Sequence, residues 1–204
     1  MKIFVRILLV LLLTNTVAFA QHKANNKPIK SVEKSSVKTE KEKPSSVIFN
    51  DETYYLEYSV GNNVQWLNEY LQKGENFNSF TKMFTVRSYD TSTATPEQLV
   101  ANIAALYQQQ NPLNKYQVFK GKGDDYCISF IMTQGNIVEF NLFRYTSVKG
   151  HPLALQFVYR EYIQNNEHKP AMQKMAQAAK TNLNTWKKEI INMSVPEIVR
   201  TIKN

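Results

Sequence analysis

The chain carries one cysteine and three histidines, so a nucleophile or a metal has few places to sit. Cys127 and His151 are the only cysteine–histidine combination in the middle of the chain, the pair that a thiolate nucleophile and its base require. The competing reading is a half-buried strand cysteine and a surface histidine beside Pro152. Asp124 and Asp125, in the run Gly121-Lys122-Gly123-Asp124-Asp125, could offer oxygens to a hard cation. Their spacing is not that of a calcium loop, however, and a tight turn uses Gly and Asp without any metal. A single cysteine excludes a CxxC site, and His22, His151 and His168 leave little for zinc. The chain has no phosphate-cradling glycine loop, no G-x-S-x-G elbow and no H-E-x-x-H. No catalytic set, metal or cofactor is implied, and any thiol bond of Cys127 must be intermolecular.

The 11 tyrosines and 11 phenylalanines are more informative. Most must be core, but Tyr55, Phe143 and Tyr145 can line a groove on the second face of a sheet, beside Glu139, Asn141 and Arg160. Aromatic surface with a few polar groups is how small ligands and partner chains are commonly held.

The elements that would position these residues follow from periodicity. Thr53 to Val60 alternates, with Tyr54, Leu56, Tyr58 and Val60 sharing one face. Gly61-Asn62-Asn63 is a turn signal, and Val64 to Leu71 returns as a hairpin. Phe80 to Tyr89 is a third strand. Thr95, Pro96 and Gln98 make a capping box with proline at the first helical position, and Leu99, Ile103, Leu106 and Tyr107 form the apolar face. Asn111-Pro112 ends that helix. Tyr116 to Phe119 opens the second half. In the next hairpin a three-residue loop, Gln134-Gly135-Asn136, places Met132 opposite Val138, Phe130 opposite Phe140, Ile128 opposite Leu142 and Ser129 opposite Asn141. The two-residue alternative would set Met132 against Glu139 and Phe130 against Asn141, burying polar groups, so the longer loop is expected.

Pro152 begins another strand, with Leu153, Leu155, Phe157 and Tyr159 inward and Gln156 and Arg160 outward. Pro170 begins the longest helix, whose stripe is Met172, Met175, Ala179, Leu183, Trp186 and Ile190. Ser194 and Glu197 form a second capping box, predicting a short final helix over 195–202. The expected class is α+β, an antiparallel β-sheet with two main helices packed on one face.

The N-terminus reads as an export signal. Lys2 and Arg6 precede the apolar run Ile7 to Leu13, and Ala18-Phe19-Ala20 fits the small-x-small cleavage rule, which predicts a mature start at Gln21. The run is far short of the ~20 residues that cross a bilayer, so no transmembrane segment is expected after cleavage. Residues 21–48 carry seven lysines against Glu33, Glu40 and Glu42 and no aromatic until the domain begins. They read as a disordered leader, with Lys23, Lys27, Lys30, Lys34, Lys38, Lys41 and Lys43 as a possible foothold on an anionic envelope surface. Signal and leader hold most of the net charge of +8. The domain of residues 49–204 is almost balanced, which with export argues against nucleic acid as a partner.

One segment resembles a family. Glu69-Tyr70 through Gly74-Glu75, followed by Phe80-Thr81-Lys82-Met83 and Thr85-Val86, is similar to the pattern E-Y-x-x-x-G-E, four residues, W-T-x-M-x-T-V of poorly characterised exported bacterial proteins. Phe80 stands where that pattern usually has Trp. The resemblance implies a small periplasmic or secreted domain with no assigned activity, and it brings no catalytic residues. The residues themselves read as structural, with Phe80 and Met83 anchoring the crossing after Gly74 to the core. The expected function is a non-enzymatic envelope domain that binds a protein or small ligand; the alternatives are an enzyme whose site is assembled from distant residues, or a secreted effector or envelope-assembly factor acting through its basic leader.

Overall fold

Alternating segments joined by short links force antiparallel neighbours. In the computed structural model, which describes residues 45–203 apart from 114 and 166, they form one eight-stranded sheet in the order β1-β2-β3-β4-β8-β7-β6-β5. The strands are β1 (Ser46–Phe49), β2 (Glu52–Gly61), β3 (Gln65–Gln72), β4 (Lys82–Tyr89), β5 (Tyr116–Lys120), β6 (Tyr126–Gln134), β7 (Ile137–Val148) and β8 (His151–Tyr162). The helices are α1 (Pro96–Gln110) and α2 (His168–Asn192). The α+β class and the antiparallel sheet are as expected. The export signal and nearly all of the leader lie outside the described residues. The leader's last residues enter β1, where Val47 and Phe49 are buried.

The helices do not share a face. Trp186 of α2 packs on Phe140, Phe157 and Tyr159, with ring centroids 5.2, 5.1 and 5.9 Å away; this side is face A. Tyr107 of α1 lies 4.5 Å from Phe130, which is paired with Asn141 and so points to the opposite side, face B. The correction has a simple cause. The chain leaves β4 near the middle of the sheet and must reach β5 at its edge, so α1 lies over β7 and β6 on one side while α2 packs on β7 and β8 on the other. An amphipathic stripe says that a helix needs an apolar surface, not which one. Within α2, Met175, Ala179, Trp186 and Ile190 are buried as expected, whereas Met172 is exposed at the rim.

Two expected registers also change. The β6–β7 hairpin turns in two residues, with Gln134 opposite Ile137, Met132 opposite Glu139 and Phe130 opposite Asn141. Gly135 takes φ +57°, the positive φ that such a turn requires. The longer loop would keep Glu139 and Asn141 out of the core, but both faces of this ladder are covered, and each polar side chain has a cross-strand partner in β8. In β2 a bulge between Leu56 and Tyr58 shifts the register against β3. Tyr54 and Leu56 therefore face α2, but Tyr58 turns to face B, where it meets Phe77 edge-on at 6.2 Å. The bulge brings Ser59 to face A in its place.

No helix forms over 195–202. That segment forms a strap without regular secondary structure: Val199 lies on face A, bonded to the Asn68 side chain, and after a bend at Thr201 Lys203 is bridged to the Ser59 backbone at the edge of β2. The spacing of Ser194 and Glu197 is that of a capping box, but a helix this short is unstable alone. Without a helix, it lays Val195, Ile198 and Val199 against the core.

One buried ion pair joins the sheet to the end of α2. Arg144 Nε donates to Asp125 at 2.6 Å, and its Nη1 donates to the carbonyls of Ile190 at 3.0 Å and Met193 at 2.6 Å, where the helix ends. Asp125 reaches this position because Gly121, whose Cβ would lie 2.6 Å from that of Asp125, permits a close turn. Asp125→Ala leaves a buried, uncompensated guanidinium and is expected to cost about 3–5 kcal/mol in urea unfolding. Asp124→Ala, at an exposed position, is expected to stay within about 0.5 kcal/mol.

Candidate functional site

The residues first suspected of chemistry are kept apart. Cys127 is fully buried on face A, opposite Arg144, which is itself opposite Leu155. His151 lies four residues from Leu155, roughly 13 Å along β8 at the rise of a strand, and two strands from Cys127. Its Nδ1 faces the Ser92 carbonyl at 3.3 Å. Burial pushes the Cys127 thiol up to about 12, the reverse of what a nucleophile needs. Asp125 points inward to Arg144 while Asp124 is exposed, so the two carboxylates do not converge. Among the described residues no three His, Cys, Asp or Glu side chains come together as a metal site.

The six residues expected on the second face do share face B. Tyr55 lies in one cross-strand row with Leu71, Met83, Val158 and Asn141. Arg160 donates through Nε to Glu139 at 2.7 Å and lies 3.7 Å from the centre of the Phe80 ring, a cation–π stack. Phe80, the aromatic of the Phe80-Thr81-Lys82-Met83 segment, is buried against Leu71 and Val158, and Met83 packs beside it. Glu75 closes the crossing by accepting from the Thr81 amide at 2.9 Å and its hydroxyl at 2.7 Å. The structural role read for that segment is therefore visible in its contacts.

Asn141, Phe143 and Tyr145 are all buried. Phe143 stacks between Phe130 and Tyr145 at 6.0 and 5.9 Å in the layer covered by α1, and burial pushes the Tyr145 hydroxyl well up. Asn141 Oδ1 accepts from Gln156 Nε2 at 2.9 Å, while its Nδ2 has no protein partner. Face B thus contributes packing under α1 and an ion-paired rim at Glu139 and Arg160.

The open surface lies at the edge of the same face. A cleft of about 350 Å³ runs between α1 and β5, lined by Glu97, Val100, Ala101, Ala104, Ala105 and Gln108 of α1, by Tyr116 and Val118 of β5, and by Tyr126 of β6. The alanines let the helix stand close to the sheet without filling the space, and β5 is the terminal strand. Sequence reasoning missed it, because the alanines fall beside the stripe that identifies the helix. The only signal was a run of small residues in a helix followed by a strand with Tyr116 and Val118 on one side. Among the described residues no helix is long and apolar enough to cross a membrane. A protein-family model matches residues 41–195, and no curated protein matches the chain.

Two measurements check this description. Cys127 is expected to resist a thiol reagent such as DTNB in the native protein and to react as one thiol in urea. Gln156→Leu strands both polar atoms of the Asn141 amide and is expected to cost about 1–3 kcal/mol. The double variant Asn141→Leu/Gln156→Leu removes donor and acceptor together and is expected to recover most of that loss in urea unfolding.

Proposed function

The chain belongs to the poorly characterised bacterial family whose model covers residues 41–195, and from that premise we propose that it is an exported, non-enzymatic domain of the cell envelope that holds a partner protein or small ligand in the cleft between α1 and β5. The observation that carries this reading is the cleft itself. Its volume suits a small ligand or a side-chain cluster, its walls are apolar and aromatic, and Glu97 and Gln108 supply a few polar groups, the composition usual for recognition. The terminal strand β5 adds an unpaired backbone edge, which can accept an extended segment.

The charged n-region, the apolar run and Ala18-Phe19-Ala20 support export. The separation of Cys127 from His151, with the thiol held neutral, argues against cysteine catalysis. The Lys-rich leader fits an electrostatic contact with anionic envelope groups, a role distinct from that of the cleft.

Ala105 and Val118 line the cleft and are exposed, so Ala105→Arg and Val118→Lys fill it without disturbing the core. When the tagged protein is used to recover bound molecules from its own envelope fraction, each variant is expected to retain the wild-type Tm and to lose at least tenfold of the molecule that wild type recovers. Undiminished recovery by both variants removes the cleft as the site. Mass spectrometry of the exported chain is expected to show Gln21 as the first residue, and an uncleaved leader overturns the export reading.

A further inference from the structure

Two buried polar side chains on face A serve another segment's backbone. Ser59 and Asn68 lie opposite each other on β2 and β3, and both are fully buried. Asn68 Nδ2 donates to the Val199 carbonyl at 2.9 Å, and its Oδ1 accepts from the Val199 amide at 2.7 Å. Ser59 Oγ donates to the same carbonyl at 3.0 Å, and Asn68 Nδ2 also meets Ser59 Oγ at 2.9 Å. A carboxamide that takes both the N–H and the C=O of one residue binds an extended backbone whatever side chain that residue carries. Four residues on, the amide and carbonyl of Ser59 exchange hydrogen bonds with Lys203, both at 2.9 Å. Main-chain pairing of this kind is how a sheet receives a foreign strand.

The rim of this groove adds selectivity. Ile198 and Val199 pack against the core, and Arg200 forks onto both oxygens of Asp90 at 2.5 and 3.0 Å. That fork holds the Asp90 carboxyl below its ordinary value. The groove therefore asks for a segment with two apolar residues followed by a cation. It is also built rather than incidental, because Ser59 reaches face A only through the β2 bulge. The strap follows the end of α2, its apolar residues are half-exposed, and Arg200, Thr201, Ile202 and Lys203 are exposed. A solvent-facing ion pair such as Arg200–Asp90 holds weakly in water.

We propose that this groove over β2 and β3 is a peptide-binding site, filled at rest by residues 194–203 and open, when the strap leaves, to a segment of a partner protein bearing two apolar residues followed by Arg or Lys. The site is on the opposite face from the α1–β5 cleft and does not depend on it. The strap is the resting competitor, so a partner must match its pattern or exceed it in local concentration.

The test uses the full chain carrying Val199→Pro and Arg200→Ala, which removes the N–H given to Asn68 and the cation given to Asp90. A fluorescein-labelled peptide of residues 194–203 is expected to bind this variant at least tenfold more tightly than wild type, followed by anisotropy. Adding Asn68→Leu to the variant, or placing the same two substitutions in the peptide, is expected to abolish binding. A variant that unfolds cooperatively with the wild-type circular dichroism yet does not bind the peptide overturns the proposal, as does equal affinity for wild type. Hydrogen exchange on the unmodified protein gives an independent reading if the variant does not fold. The Val199 and Lys203 amides are expected to exchange at least 100-fold faster than those of Leu142 and Phe157. Equal protection means that the strap opens only with the whole domain, and then the proposal fails.

Discussion

Along β7, Val138, Phe140 and Leu142 leave the sheet on one side and Asn141, Phe143 and Tyr145 on the other, and all six are buried. A ladder with two dry faces has to be covered twice. β7 accordingly carries α2 on face A and α1 on face B, with α2 reaching onto β8 and α1 onto β6. A strand reading as continuously buried is more familiar from parallel sheets sandwiched between helices. Here an antiparallel sheet meets the same constraint because its chain crosses over once on each side. The outer strands are less demanding: β1 and β5 show one half-exposed or fully exposed side each, and that is where open surface remains.

Burying both faces forces some polar side chains into dry positions, and they are satisfied to different degrees. Arg144 is fully engaged, with a carboxylate and two helix-terminal carbonyls, so the sheet and the end of α2 are tied at one point. Glu139 and Arg160 form a pair across β7 and β8 that also covers the Phe80 ring. Ser59 and Asn68 are satisfied by the chain's own C-terminal segment. Asn141 keeps one amide hydrogen-bonding group unused, and Thr85 nearby keeps its hydroxyl unused. Unpaired groups of this kind weaken a core locally, and both lie on face B, where the sheet is covered by one helix and the crossing between β3 and β4.

The two binding surfaces inferred for the domain differ in kind. The α1–β5 cleft is a standing gap flanked by three alanines of the helix. The groove over β2 and β3 is closed in the resting chain and is defined by what fills it. Both use a strand edge or a strand-like pairing. Neither requires a reactive side chain, consistent with the protonated, inaccessible thiol of Cys127 and with carboxylates engaged in structural pairs.

What the sequence determined is local. Period-2 alternation located β2 to β8 but not β1, whose residues read as the end of the leader; the Thr95–Gln98 capping box located α1 to the residue, and the stripe from Met175 to Ile190 located α2, because each depends on neighbours a few positions away. Face B could be named from residues such as Glu139, Asn141 and Arg160, since the period of a strand assigns every side chain to a side. Whether a side is open or covered is not local. The face under α1, the two-residue turn at Gly135, the bulge that sends Ser59 across the sheet and the non-helical strap after Ser194 were all decided by tertiary structure. Each was a choice between local conformations, and the winner was the one that covered a dry face or completed a buried hydrogen bond supplied by a residue up to 140 positions away.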